Sequence, residues 1–225
     1  MPAMIPAARR AVAVCGVLAL VFVLQSILVA TGQTDLADIH TAAGMERIWV
    51  PALGHVSQGI AVLGGLEATT LVILVLLVVL WRTGLRREAW GLLAFPLVLG
   101  IELLYKHVIG QNPPHAPYVH PDGPSLTMLL PGHTTLQGGY SFPSGHVVRA
   151  VVAYGLAAFI VRRLAPAGWW QAWAIPAAAV VVALVAFDRL YLGVHWQSDV
   201  LGGLLLGGVG LSAAIVWLEW GALRR

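Results

Sequence analysis

The chain is poor in charge and almost free of cysteine. Only 10% of its 225 residues are charged, while 59% are hydrophobic. A soluble domain carries about a quarter charged residues, and a soluble fold of this length cannot hide so much apolar surface. The solvent that accepts it is lipid, and several apolar runs approach the roughly 20 residues needed to cross a bilayer. The single cysteine, Cys15, sits inside the first run. An intrachain disulfide is therefore impossible, and a thiolate-rich metal site is excluded. The net charge is only +3, and the basic residues come in scattered pairs with no basic stripe, which argues against a nucleic-acid partner.

What is present is a series of apolar runs separated by short polar connectors. Arg9-Arg10 and the run over residues 11–30 have the ingredients of a signal peptide. The run is long for that role and more follow, so it reads as a retained first span. Residues 31–54 are mixed and predict a loop with one short interfacial helix. Further spans are expected over 55–81, 89–109, 144–161, 173–190 and 198–218. The expectation is an all-α integral membrane bundle of six spans, one membrane domain over residues 1–225. Gly202-Gly203 and Gly207-Gly208 in the last span permit close helix contact within that bundle.

Charge sets the orientation. Nine of the 13 basic residues (Arg9, Arg10, Arg82, Arg86, Arg87, Arg162, Arg163, Arg224 and Arg225) fall on one side of a six-span layout. The positive-inside rule makes that side cytoplasmic, with both termini there. Lys106, Arg149 and Arg189 lie at the opposite face. Basic residues placed against the rule need another reason, and an anionic ligand is one.

Two polar stretches sit at that face. In Ser141-Phe142-Pro143-Ser144-Gly145-His146 a loop turns into a helix start. A glycine there lets backbone N–H groups approach an anion, which the helix dipole favours. Ser144 can add a hydroxyl donor or simply cap the helix, and His146 can give a proton to a leaving oxygen. The second stretch runs from Arg189 to Asp199. His195 and Asp199 are four apart, so on a helix they share a face. A carboxylate on one ring nitrogen fixes the tautomer and leaves the other free to attack or accept a proton. Arg189 offers a planar fork for phosphate oxygens.

Pro143-Ser144-Gly145-His146 and Arg189-x5-His195-x3-Asp199 resemble the second and third signature motifs of the type 2 phosphatidic acid phosphatase superfamily, lipid phosphatases related to the vanadium haloperoxidases. The likeness covers about residues 55–219. The family's first motif is a lysine, six residues, then Arg-Pro. Lys106 and Pro114 keep that spacing, with Pro113 in the arginine position.

The resemblance implies a phosphatase at the extracytoplasmic face, acting on a lipid such as phosphatidate or a polyprenyl pyrophosphate. His195 would be the nucleophile that becomes phosphohistidine, Asp199 its orienting partner, and His146 the general acid. Lys106, Arg189, Ser144 and the Gly145 backbone would hold the phosphate oxygens, with no metal and no cofactor. Arg149, three residues after His146, is the candidate replacement for the missing arginine. Two alternatives stay open: a lipid phosphoryl-group transferase using the same histidines, and a non-catalytic relative that binds anionic lipid.

Residues 110–143 form the longest polar segment, with seven prolines and His115, His120 and His133. Such loops tend to be functional or mobile. The histidines are too widely spaced, with no cysteine or glutamate among them, to favour a metal site. Glu102 is placed to pair with Lys106 at i+4. Glu67, at membrane depth, has no evident role in the sequence.

Overall fold

A computed structural model describes residues 6–122 and 139–222. His133 and the middle of the polar segment lie outside the described residues. Those described are helical, with no strand among them. The helices are α1 (Pro6–Ala30), α2 (Asp35–Ile48), α3 (Pro51–Gly64), α4 (Leu66–Arg82), α5 (Ala94–Ile109), α6 (Gly145–Leu164), α7 (Trp169–Tyr191) and α8 (Gln197–Ala222), with a 3₁₀ segment, Glu88–Leu93, leading into α5.

Among the described residues, five segments are long and apolar enough to cross a membrane: Arg9–Ala30, Pro51–Arg82, Glu88–Ile109, Trp169–Tyr191 and Gln197–Glu219. Their outer faces expose leucine and valine, for instance Leu20, Leu71 and Leu97. In water such surface would aggregate; in a bilayer it is the solvated face. The expected fourth span, α6, is not among the five. It carries Arg149, Arg162 and Arg163, yet it is the centre of the bundle. Val147, Val148, Ala150, Val152, Ala153 and Leu156 on it are fully buried. Apolar composition detects helices that face lipid, whereas α6 faces other helices.

Residues 31–54 hold more helix than expected, the whole of α2 and the start of α3. The expected second span is also broken, at Gly65, whose extended backbone (φ −61°, ψ 157°) ends α3. The break frees carbonyls at membrane depth, where each unsatisfied group costs several kcal/mol. Side chains of α6 take them: Arg149 Nε donates to the Gly64 carbonyl at 3.1 Å and the Tyr154 hydroxyl to that of Leu63 at 2.8 Å. A Cβ on Gly64 would lie 3.0 Å from that of His146, so the break brings α3 against the signature histidine.

The glycines of α8 serve close packing inside the bundle. A Cβ on Gly207 would meet Val151 at 2.7 Å and the Val148 carbonyl at 3.0 Å. At one end of the bundle Arg163 donates to the Leu218 carbonyl, Trp217 donates to that of Arg87, and Arg86 stacks on Trp81. Exposed Trp90, Trp169, Trp170 and Trp173 lie at helix ends in the same part of the fold. The opposite end holds the site.

Candidate active site

Each functional side chain comes from a helix end. α5 stops at Gly110, whose left-handed backbone (φ 66°) donates its N–H to the Lys106 carbonyl. Lys106 therefore occupies the last turn. Its ammonium is buried 3.4 Å from Glu102, the expected i,i+4 pair. α6 starts at Gly145, where a side chain would collide with the Glu102 carboxylate. The Ser144 N–H bonds the Asp199 carbonyl at 3.0 Å, tying the start of α6 to that of α8. The Ser144 hydroxyl makes no capping bond and is buried with no hydrogen-bond partner among the described residues.

At the end of α7, Arg189 is 1% exposed and grips two carboxylates. Its Nε donates to Asp188 at 2.8 Å. Its two terminal nitrogens donate to both oxygens of Asp122, at 3.0 and 2.8 Å. Gly193 (φ 62°) then turns the chain under Tyr118, whose carbonyl leaves no room for a side chain. His195 Nδ1 faces Asp199 Oδ2 at 3.2 Å, and that oxygen also accepts the Trp196 N–H at 2.8 Å. The carboxylate can only accept, so Nδ1 carries the proton and Nε2 keeps its lone pair. Burial pushes the His195 imidazole below its ordinary value, with Asp199 opposing the shift.

Lys106, Pro113, Asp122, Tyr140, Ser141, His146, Arg189, Val194 and His195 surround one cavity of about 180 Å³. His146 and His195 thus meet there with two of the three expected cations, Lys106 and Arg189. Pro113 stands on the wall at the position where the family motif has arginine. Ser144, Gly145 and Arg149 are not on that wall. The Arg149 guanidinium sits behind His146, with Nη2 at 3.3 Å from Nδ1 and Nη1 at 3.9 Å from Glu102. Arginine only donates, so His146 Nδ1 accepts and its proton sits on Nε2. Glu67 lies within electrostatic reach of Arg149. His115 is exposed, while His120 stacks on Trp49 with ring centroids 4.0 Å apart and bonds Glu46 at 2.8 Å. These two histidines stand apart from the cavity wall.

Asp122 is the site residue that sequence reasoning misses. It falls in Pro121-Asp122-Gly123, a turn signal, and nothing local ties it to Arg189. Ser141 and Tyr140 directly precede the recognised motif, so proximity alone could have found them.

The arrangement is a small polar cavity at one end of a helical membrane bundle, where a buried lysine and a buried arginine face two histidines. Comparison with known proteins agrees. Residues 88–222 match the PAP2 superfamily model. The chain is 34% identical to a putative undecaprenyl-diphosphatase of Escherichia coli (strain K12), over 67% of this chain and 69% of that protein. It is 30% identical to the phosphatidylglycerophosphatase B of Bacillus subtilis (strain 168), over 84% of this chain and 86% of that protein. The crystal structure of a transmembrane PAP2 type phosphatidylglycerolphosphate phosphatase from Bacillus subtilis has the same fold, with a TM-score of 0.75 at 24% identity, covering 94% of this chain and 97% of that one. The chain belongs to the PAP2 superfamily.

Proposed function

We propose that the protein is a membrane phosphatase that removes the terminal phosphate of a lipid phosphate monoester or pyrophosphate through a phosphohistidine on His195. The observation that carries this reading is the Arg189–Asp122 contact inside the histidine cavity. A buried guanidinium already holds a planar oxyanion there, in the place the substrate's phosphoryl group would take.

His195 Nε2 attacks phosphorus while its Nδ1 keeps its proton, hydrogen-bonded to the Asp199 carboxylate, which stabilises the imidazolium that forms. The bond to the lipid oxygen or pyrophosphate bridge breaks, and His146 Nε2–H donates to the departing oxygen. Water then attacks the phosphorus of the phosphohistidine and returns a proton to His146 Nε2, the P–Nε2 bond to His195 breaks, and inorganic phosphate leaves. Lys106 and Arg189 hold the equatorial oxygens, where positioning and charge supply most of the catalysis. Arg149 contributes through His146, by fixing its tautomer. Undecaprenyl pyrophosphate and phosphatidylglycerophosphate are the substrate types that the relatives' names suggest.

The bundle crosses the membrane six times in this reading, with α6 as the central crossing. Its 20 residues span about 30 Å at 1.5 Å per residue. The arginine- and tryptophan-rich end faces the cytoplasm and the cavity the other side. The test is phosphate release by the purified protein in detergent, with chelator, from both lipids, beside His195→Ala. Release that requires His195 and survives chelation is expected. Release that is unchanged in His195→Ala, or absent from every lipid phosphate offered, refutes the assignment.

A further inference from the structure

The catalytic pair is held by a helix outside the matched family region. Asp38 lies on α2, well before residue 88, and is 3% exposed. Its Oδ1 accepts the Ser198 backbone N–H at 2.7 Å, and its Oδ2 accepts the Ser198 hydroxyl at 2.7 Å. The first N–H groups of a helix have no partner within it. In α8 one of them is satisfied by a carboxylate distant in sequence. Ser198 also receives Gln111 Nε2 at 3.3 Å, and Thr41 of α2 bonds Gln197. The first turn of α8, which carries Asp199, is thus gripped from α2 and from the segment after α5.

The grip has a cost that makes its presence informative. Burial pushes the Asp38 carboxyl above its usual range, the two Ser198 bonds oppose the shift, and the nearby Asp199 charge adds to it. A neutral cap such as serine or asparagine would serve helix stability alone. Two carboxylates reach neighbouring residues of one turn. One takes Ser198 and the other takes Trp196 and His195, leaving that turn little freedom to rotate.

We propose that Asp38 is a positioning residue for the phosphoryl-transfer step: from α2 it locks the first turn of α8, and so holds Asp199 against His195 Nδ1. The inference rests on the proposed function, in which that pair makes the nucleophile. Asp38 touches no substrate. Its removal changes how often His195 presents Nε2 in line, not how well the cavity binds phosphate.

The experiment measures kcat and KM for phosphate release by the full chain in detergent, per folded protein recovered as a single gel-filtration peak. Asp38→Ala is expected to lower kcat at least tenfold with KM within twofold. Asp38→Asn can still accept the Ser198 N–H and donate to its hydroxyl, so kcat within threefold of wild type is expected. In an Asp199→Asn background, Asp38→Ala should cost less than threefold more, because both act through one turn. If Asp38→Ala is not recovered folded, Asp38→Glu decides: a carboxylate displaced by one methylene should lower kcat at unchanged KM. Wild-type kcat in the tested variant, equal loss in both backgrounds, or Asp38→Asn as slow as Asp38→Ala overturns the inference. Wild-type protein that releases no phosphate overturns the proposed function and this inference together. An active wild type with an indifferent Asp38 overturns this one alone.

Discussion

The cations of the cavity are held by carboxylates in the absence of substrate: Lys106 by Glu102, and Arg189 by Asp188 and Asp122. Asp122 differs from the other two: it belongs to a connecting segment, not a helix, and its side chain is 33% exposed. Phosphate and Asp122 then compete for one guanidinium, and apparent affinity falls by the fraction of time the fork is occupied. Charge-assisted bonds contribute roughly 1.5–3 kcal/mol, discounted here for exposure. Asp122→Asn should therefore tighten inhibition by inorganic phosphate about threefold to tenfold and lower KM by a similar factor. Weaker phosphate binding would mean that Asp122 instead holds Arg189 in shape.

The same scale fixes a pH dependence. In the proposed mechanism His195 must be neutral to attack. Burial lowers its protonation range, Asp199 opposes this, and Lys106 and Arg189 add to the lowering. A lowered value extends the neutral form to more acidic pH, so the acid limb of kcat/KM should lie below the ordinary histidine value of about 6.5. Asp199→Asn removes the opposing charge and should shift that limb further toward acid while depressing the plateau. An acid limb above 6.5 in the wild type would contradict the burial of the imidazole.

At the scale of elements, lipid-facing helices were legible because their apolar runs have the length a bilayer demands. The residues around His146 and His195 were legible because each set lies within one short stretch. The break at Gly65 was not, since an apolar run interrupted by Gly64-Gly65 still reads as one span. The mixed composition of α2 predicts only a short helix in a loop and hides what the helix holds. Asp38 and Asp122 reach partners 160 and 67 residues away, and no local pattern encodes such pairs. Close packing, by contrast, followed from the α8 glycines. Gly207→Leu would drive a side chain into Val151 and the Val148 carbonyl, and overpacking of this kind costs about 1–3 kcal/mol. A melting temperature in detergent several degrees lower is expected. Gly59→Ala, where a Cβ meets nothing within 4 Å, should melt with the wild type.

Across the whole molecule the two ends differ in chemistry. One gathers arginine and tryptophan, the anchors of a membrane interface; the other gathers buried ion pairs and histidines. α6 connects them, and it is the helix whose own composition does not suit lipid. Arginine at the centre of an inserting helix costs about 2.5–3.5 kcal/mol on a biological insertion scale, and α6 carries Arg149 in its second turn besides Arg162 and Arg163 in its last. The residues that lipid would reject are accepted by earlier helices: Arg149 by the α3 carbonyl and by Glu102 of α5. In the proposed six-crossing topology, α6 would not leave the translocon as an independent hydrophobic segment but would wait for docking sites on the helices already in the membrane. A chain truncated after residue 168 should still place α6 correctly in accessibility mapping, whereas the same chain with Glu102→Leu and Gly64→Leu should leave it unthreaded. Insertion of the helix that bears His146 and assembly of the site around it are, on this account, a single event in the life of the protein.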